Sequence, residues 1–175
     1  ISEAWYFVPM VISSSLFPAI INAKKVSEEL YYARLQKLYD LMVWIAISVA
    51  LPMTFLSDWV VHILYGNQYN QAGSVLMIHI WGGVNVSMGT AWSRWILNEN
   101  KQIIATYGHF LGAILNIIFN LYFIKSCGID GAAYATLLSY FLSALFVYTL
   151  YKPKIAYKMF LKSILLWRSV YAKKK

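Results

Sequence analysis

Charged side chains are missing from five long stretches of this chain, residues 4–23, 41–57, 59–93, 102–124 and 131–151, and nothing else in the sequence constrains the fold as strongly. Only 13% of the 175 residues are charged and 60% are hydrophobic, against about 25% charged in an ordinary soluble domain. The charges that remain stand in short clusters between the apolar runs and are not spread over a surface. A water-soluble domain is excluded by that arrangement. Crossing the hydrocarbon core of a bilayer takes about 20 apolar residues with every backbone amide paired inside a helix. The expected fold class is therefore all-α, a polytopic transmembrane helix bundle.

The 59–93 run is too long for one crossing. Tyr65-Gly66-Asn67-Gln68-Tyr69-Asn70-Gln71 divides it with turn-forming Gly and Asn, which predicts a short hairpin loop. Five spans result, at about 3–22, 39–63, 71–97, 102–124 and 129–151. Trp5, Tyr6, Tyr39, Trp59, Tyr65, Trp92, Trp95, Tyr148 and Tyr151 collect near their ends, as aromatics do at membrane interfaces. Of 15 Lys and Arg, only Lys125 falls on one side of this drawing; the others lie in the loop after the first span (Lys24, Lys25, Arg34, Lys37), in the third turn (Arg94, Lys101) and in the C-terminal tail. Positive loops stay cytoplasmic, so the C-terminus is expected in the cytoplasm and residue 1 outside. The net charge of +8 then follows from topology and from attraction to anionic lipid headgroups. No nucleic-acid partner is expected. Cys127 is the single cysteine, so neither an intrachain disulfide nor a multi-cysteine metal site can form, and no cofactor is expected. The chain opens on Ile1 with an apolar run that lacks the basic region and cleavage site of a signal peptide. It reads as part of a longer protein.

Two segments are expected to lie along the membrane surface. In 26–38, Ser27 can cap a helix whose first turn carries Glu28 and Glu29, with Tyr31, Leu35 and Leu38 on one face. In the basic tail, 153–175, Lys154, Lys158 and Lys162 repeat every four residues opposite Ile155, Met159, Phe160, Ile164 and Trp167, after Pro153 has ended the fifth span. That tail can anchor to anionic lipid or offer a docking face to a partner enzyme.

Polar residues inside the spans must face other helices or a wet cavity. Thr106, His109, Asn116 and Asn120 fall along one face of the fourth span. The two asparagines suit either interhelical hydrogen bonding or the lining of a substrate cavity, and His109 either a packing role or a proton relay. Gly108 and Gly112 form a GxxxG step, while Gly131, Ala135, Ser139 and Ser143 recur every four residues in the fifth span, so close helix contacts are expected there. Gly82, Gly83, Gly89, Thr90 and Ser93 occupy roughly one face of the third span. Ser13-Ser14-Ser15 lies between Pro9 and Pro18, and Pro52 stands midway along the second span; such sites permit bending. Arg94, between Trp92 and Trp95, has the geometry to grip a phosphate but equally suits positive-inside anchoring. Asp58 and His62, four apart, form an outer-gate pair or an interfacial salt bridge. No Walker loop, HExxH, nucleophile elbow or paired catalytic carboxylates occur, so an enzyme is not expected.

Leu64-Tyr65-Gly66-Asn67-Gln68-Tyr69 with Ala72 resembles the lyG-x-x-Y-x-x-A hairpin of polysaccharide-export flippases. Asn116 and Asn120 followed by Cys127-Gly128-Ile129-Asp130-Gly131-Ala132-Ala133-Tyr134-Ala135-Thr136 resemble their N-x-x-x-N and yGi-x-GAA-x-AT signature, and Ser15-Leu16-Phe17-Pro18 their slfP. Most of residues 13 to 140 are covered. The chain thus resembles the O-antigen and capsule repeat-unit transporters (Wzx type) of the multidrug/oligosaccharidyl-lipid/polysaccharide exporter superfamily. Lys125 departs from the pattern, standing where an apolar-Pro pair is common. The resemblance implies a twelve-helix transporter of two six-helix lobes around a central cavity, of which this chain supplies helices eight to twelve. It also implies a substrate, an undecaprenyl-diphosphate-linked oligosaccharide moved by alternating access across the bacterial inner membrane, and an upstream N-terminal lobe as partner.

Two other functions fit the same composition. A cation-coupled multidrug antiporter would carry acidic residues deep in its spans, and none of the seven here lies mid-span. A non-transporting assembly subunit would hold a polysaccharide polymerase or a glycosyltransferase through the basic tail.

Overall fold

The computed structural model describes residues 1–150 and 155–165. No strand occurs among them, and the chain is an all-α, membrane-type helical protein. Its elements are α1 (Phe7–Val26), α2 (Glu28–Tyr65), a short 3-10 turn (Asn67–Tyr69), α3 (Gln71–His79), α4 (Gly82–Asn98), α5 (Gln102–Leu150) and α6 (Ile155–Leu165). Three of the described helices, α1, α2 and α5, are each long and apolar enough to cross a membrane.

Ser27 starts α2 as expected of an N-cap. Its extended backbone turns the chain between α1 and α2, and its Oγ accepts a hydrogen bond from the Leu30 amide at 3.1 Å. Glu28 and Glu29 complement the positive end of the helix dipole, as Lys24 and Lys25 do the negative end of α1. From there α2 continues unbroken for 38 residues, through Pro52, to Gly66. This corrects the separate surface helix expected at 26–38. Tyr31, Leu35 and Leu38 are no more than 1% exposed and form the core with Ile20, Tyr39, Met42, Trp92 and Trp95. The amphipathic face was legible, but protein covers it where lipid was expected. A 38-residue helix is about 57 Å long, well beyond the roughly 30 Å of hydrocarbon that one crossing needs.

The expected third span, 71–97, is interrupted. The Ile80 amide still bonds the Leu76 carbonyl, but the Trp81, Gly83 and Val84 amides bond carbonyls three residues back, those of Ile78, Ile80 and Trp81, and this tighter turn separates α3 from α4. Beside it a side chain on Gly83 would run into Trp5, while Gly82 lies at ordinary contact distance from Tyr6 and Tyr140. Trp81 anchors the break to α2 through Nε1, which donates to Thr54 Oγ1 at 3.1 Å. Interruption thus falls at a glycine pair, whereas the helices run on through Pro18 and Pro52.

The fourth and fifth expected spans form a hairpin, joined so tightly that only Gly128 (φ +59°, ψ −136°) departs from helical geometry. That left-handed φ favours glycine, which lacks a Cβ. Gly131 then sits directly on the Phe123 carbonyl of the opposite limb.

Helix α6 packs along α2. Gln36 Nε2 donates to Asp40 Oδ1 (2.8 Å), to the Met159 carbonyl (3.0 Å) and to Ser163 Oγ (3.0 Å), and Ser163 Oγ reaches Asp40 Oδ1 at 2.7 Å. Met159 is buried in the core, while Lys158 and Lys162 are exposed. Pro153, Lys154, Trp167 and the remaining basic residues of the tail lie outside the described residues.

The two ends of the bundle differ in charge. Lys24 bonds Glu99 at 2.6 Å and lies over the Tyr31 ring, whose hydroxyl accepts from Asn98 Nδ2, so the ends of α1 and α4 and the start of α2 meet. Arg34 of the same α2 turns, Lys101 after α4 and the lysines of α6 belong to this basic end. At the opposite end Ser74 Oγ donates to Asp130 Oδ1 at 2.6 Å, tying α3 to the hairpin turn.

Candidate functional site

Side chains on an α-helix lean toward its N-terminus. Because α4 runs toward the basic end, Arg94 in its last turns leans back into the bundle and does not snorkel outward. Its Nε donates to Ser13 Oγ and one terminal nitrogen to Ser14 Oγ, both at 2.8 Å, and the guanidinium lies 5.3 Å from the Phe17 ring centroid. Ser13 is six residues from the start of α1 and thirteen from its end, so at about 1.5 Å per residue the guanidinium is held about 20 Å from the basic end of that helix. That distance is less than the roughly 30 Å thickness of a bilayer's hydrocarbon core. No carboxylate pairs with Arg94 among the described residues, where the one ion pair is Lys24 with Glu99. Two of its five donors are used by serines, and hydroxyls carry no compensating charge.

The surroundings of Arg94 are polar on one side. Ser13 is fully buried, whereas Ser14 and Ser15 lie on the exposed side of α1. On α4, Gly89, Thr90 and Ser93 fall on the less buried face beside Arg94, and nothing approaches within 4 Å of where a Gly89 side chain would be. The serine triplet reads in the sequence only as a site of bending. In the packed structure Ser13 and Ser14 seat the Arg94 guanidinium, while Ser15 donates back to the Val11 carbonyl of its own helix; the signal was adjacent hydroxyls in an otherwise apolar span.

The other expected cavity residues are distributed differently. Asn116 Nδ2 donates across the hairpin to Thr136 Oγ1 and Ser139 Oγ, each at 3.3 Å, and Asn120 Nδ2 donates to the Asn116 carbonyl (2.8 Å) and Oδ1 (3.0 Å). Asn116 thus bonds across the limbs of α5, and Asn120 bonds Asn116 within its own limb. Along that seam Gly108 meets Val147, Gly112 meets Ser143, and Ala135 and Ser139 are fully buried. Thr106 and His109 are exposed, and Thr106 bonds only back to the Gln102 carbonyl of its own helix, at 3.4 Å. They are not brought together with Arg94. Asp58 and His62 are both exposed and make no ion pair with each other. Asp58 instead closes over Gly73 of α3, so the paired outer gate is not formed. Two cavities lie away from Arg94. One of about 500 Å³ opens at the end opposite the basic one, and one of about 480 Å³ lies on the hairpin flank between Tyr107, Phe110 and Phe146.

The family model described as "Lipid II flippase MurJ" matches residues 8–173. The chain belongs to that family. Membership carries a multi-pass membrane protein within the superfamily that the hairpin and Gly128 motifs resemble; the narrower O-antigen type is not what the match specifies. An uncharacterized membrane protein, MJ1068, of Methanocaldococcus jannaschii is 28% identical over 109 residues, which is 62% of this chain. The matched segment spans about 21% of that relative's length. No solved structure matches. In this lipid II flippase family member Arg94 and the asparagines of the hairpin are therefore separate features, Arg94 seated on α1 and Asn116 bonded across the limbs of α5.

Proposed function

We propose that the chain is part of a carrier that flips a polyprenyl-diphosphate-linked saccharide across the bacterial inner membrane by alternating access, without a covalent step, and that Arg94 meets the diphosphate. The observation that carries this is a guanidinium seated on two serine hydroxyls inside the helix bundle, without a carboxylate partner among the described residues. An ionisable group inside a membrane-spanning bundle is costly and is retained where it serves transport. A diphosphate supplies the missing negative charge and the planar, bidentate geometry that arginine fits. Lipid II, named by the family, and the O-antigen or capsule repeat unit of the resembling transporters share that linkage and differ in their saccharide. Either fits Arg94.

In this reading the basic end faces the cytoplasm, with the C-terminus. A cysteine at Asn67 should then react with an impermeant thiol reagent from outside, and one at Lys101 only after permeabilisation; the reverse pattern would invert the topology. The upstream lobe would close the polar side of α1 and α4 around Arg94.

Arg94→Met in the full-length protein tests the function. A charged hydrogen bond contributes about 1.5–3 kcal/mol, so transport of the lipid-linked saccharide should fall by about tenfold to a hundredfold while membrane abundance holds, and Arg94→Lys should recover part of it. Transport at the wild-type rate by Arg94→Met would overturn the assignment. Loss of abundance in step with transport, unrelieved by lysine, would reduce Arg94 to a packing residue.

A further inference from the structure

Helix α1 runs on through Pro18, but the turns just before it carry a weakened hydrogen-bond ladder. Proline has no N–H, so the Ser14 carbonyl lacks the donor that residue 18 would supply, and the pyrrolidine ring crowds that carbonyl. Ser14 Oγ donates to the Met10 carbonyl at 2.8 Å and Ser15 Oγ to the Val11 carbonyl at 3.0 Å. Such back-bonds compete with the backbone ladder and bend helices. Beyond Pro18 the helix is fastened by its neighbours: Arg34 Nη1 of α2 donates to the Ala19 carbonyl at 3.0 Å, Ile20 enters the core, and Lys24 pairs with Glu99. Before Pro18, Arg94 of α4 spans the weak turn through Ser13, Ser14 and Phe17.

Which edge of the guanidinium makes this contact decides what the other edge can do. Nε–H and one N–H of Nη2 lie on the same side of the planar fork, and both are taken by serine hydroxyls. Ser14 gives its own hydrogen to Met10, so its lone pairs face Arg94 and its hydroxyl is oriented as an acceptor. The end of the fork, Nη1 with the second hydrogen of Nη2, keeps the parallel N–H groups that grip a phosphate bidentately. A phosphate brings the charge that a hydroxyl lacks, and hydrogen bonds between ionised groups are about twice as strong as neutral ones. Serines at the side edge and an anion at the end edge therefore do not compete. Each fixes the same planar group for the other.

We propose that Ser13 and Ser14 are positioning residues that aim the end edge of Arg94 at the diphosphate, and that the bound anion in return splints α1 across the turn before Pro18. The proposal rests on the reading above that Arg94 meets the diphosphate, and adds how occupancy of that contact is felt by the fold. Coupling of this kind is reciprocal: α1 held straight favours the anion, and departure of the anion frees α1 to flex at its weak turn. The serine pair thus ties the binding step to the shape of a helix long and apolar enough to cross the membrane.

The test uses purified full-length protein, with undecaprenyl diphosphate as probe and undecaprenol, which lacks the phosphates, as control. Ser13→Ala with Ser14→Ala should weaken binding of the diphosphate by about tenfold, the loss of two hydrogen bonds. Ser14→Ala alone should lose part of that, and Ser14→Thr, which keeps the hydroxyl, should retain wild-type binding. In an Arg94→Met background the serine changes should have no further effect, because a positioning residue acts through the group it positions. Spin labels at Met10 and Val26, both exposed and about 24 Å apart along α1, introduced with Cys127→Ser, read the bend. Undecaprenyl diphosphate should narrow their distance distribution when both serines are present, and should not when both are alanine, even at saturating lipid; undecaprenol should narrow neither. Should the double variant fail to fold, Ser14→Ala, on the exposed side of α1, carries the same measurements. Serine changes that cost as much without Arg94 as with it, or a distribution that the bound diphosphate leaves unchanged, would overturn the proposal while the diphosphate reading stands. If the wild type binds undecaprenyl diphosphate no better than undecaprenol, both are overturned together.

Discussion

Helices α2 and α5 are similarly apolar, and both qualify as membrane-crossing by length and composition, yet they are held by opposite means. Nine residues of α2 between Tyr31 and Ala50, or near it at Val61, are at most 2% exposed, and several are large: Tyr31, Leu35, Leu38, Tyr39 and Met42. Along α5 the buried positions are mostly small, at Gly108, Gly131, Ala133, Ala135 and Ser139, with Val147 the one larger side chain among those described, while Tyr107, Phe110, Ile117, Leu121 and Tyr122 are all more than 60% exposed. One helix is a core strut packed by large side chains. The other closes on itself through glycine contacts and amide hydrogen bonds and offers its bulk outward. Hydropathy alone does not separate them, because lipid and protein interior are equally good solvents for a leucine. What separates them is where the small and polar residues lie.

Identical truncations on the two helices should therefore give the largest contrast. Leu35→Ala removes a side chain that is 1% exposed, and Leu121→Ala one that is 66% exposed. The first should destabilise the detergent-solubilised protein by about 2–5 kcal/mol through the cavity it leaves, the second by less than about 0.5 kcal/mol. Equal melting temperatures for the two variants would break the comparison.

A smaller effect is expected at the hairpin turn. A Cβ on Gly131 would meet the backbone of Phe123 and Ile124, which cannot rotate aside. Gly131→Ala should cost about 1–3 kcal/mol, as overpacking does, and should change crosslinking between cysteines placed on the two limbs of α5. Gly89→Ala, where the space is open, is the control. If both behave alike, close approach of the limbs does not hold the hairpin.

The smallest effect belongs to the amide seam. Asn116→Leu removes its bonds to Thr136 and Ser139 and the acceptor of Asn120, each worth only about 0.6 kcal/mol in a membrane helix pair. Abundance or detergent stability should drop slightly, and transport should follow it in proportion. A large transport loss at constant abundance would move Asn116 from the seam to the substrate path.

Several features were visible without coordinates. The uncharged runs forced helices, because an unpaired amide in hydrocarbon is too costly to leave. Ser27 with Glu28 and Glu29 marked the start of α2, and Gly66 and Gly128 marked its end and the hairpin turn, since each encodes a local backbone preference. The small-residue repeat in the fifth span lies where the limbs meet. Surface amphipathicity at 26–38 and 155–165 was equally plain, but a one-dimensional pattern names an apolar face without naming what covers it.

Tertiary structure alone decided the rest. It put protein on Tyr31, Leu35 and Met159, brought Trp5 against Gly83 beside the turn that divides the third span, and linked Gln36 and Asp40 to Ser163 across more than a hundred residues. It directed Asn116 into a seam and Arg94 onto Ser13 and Ser14. The sequence determined which segments are helical and which faces avoid water, because those follow from neighbours a few residues apart. Which polar group finds a partner, and which charge is left without one, depends on helices distant in the chain, so the site at Arg94 became readable only once they were packed together.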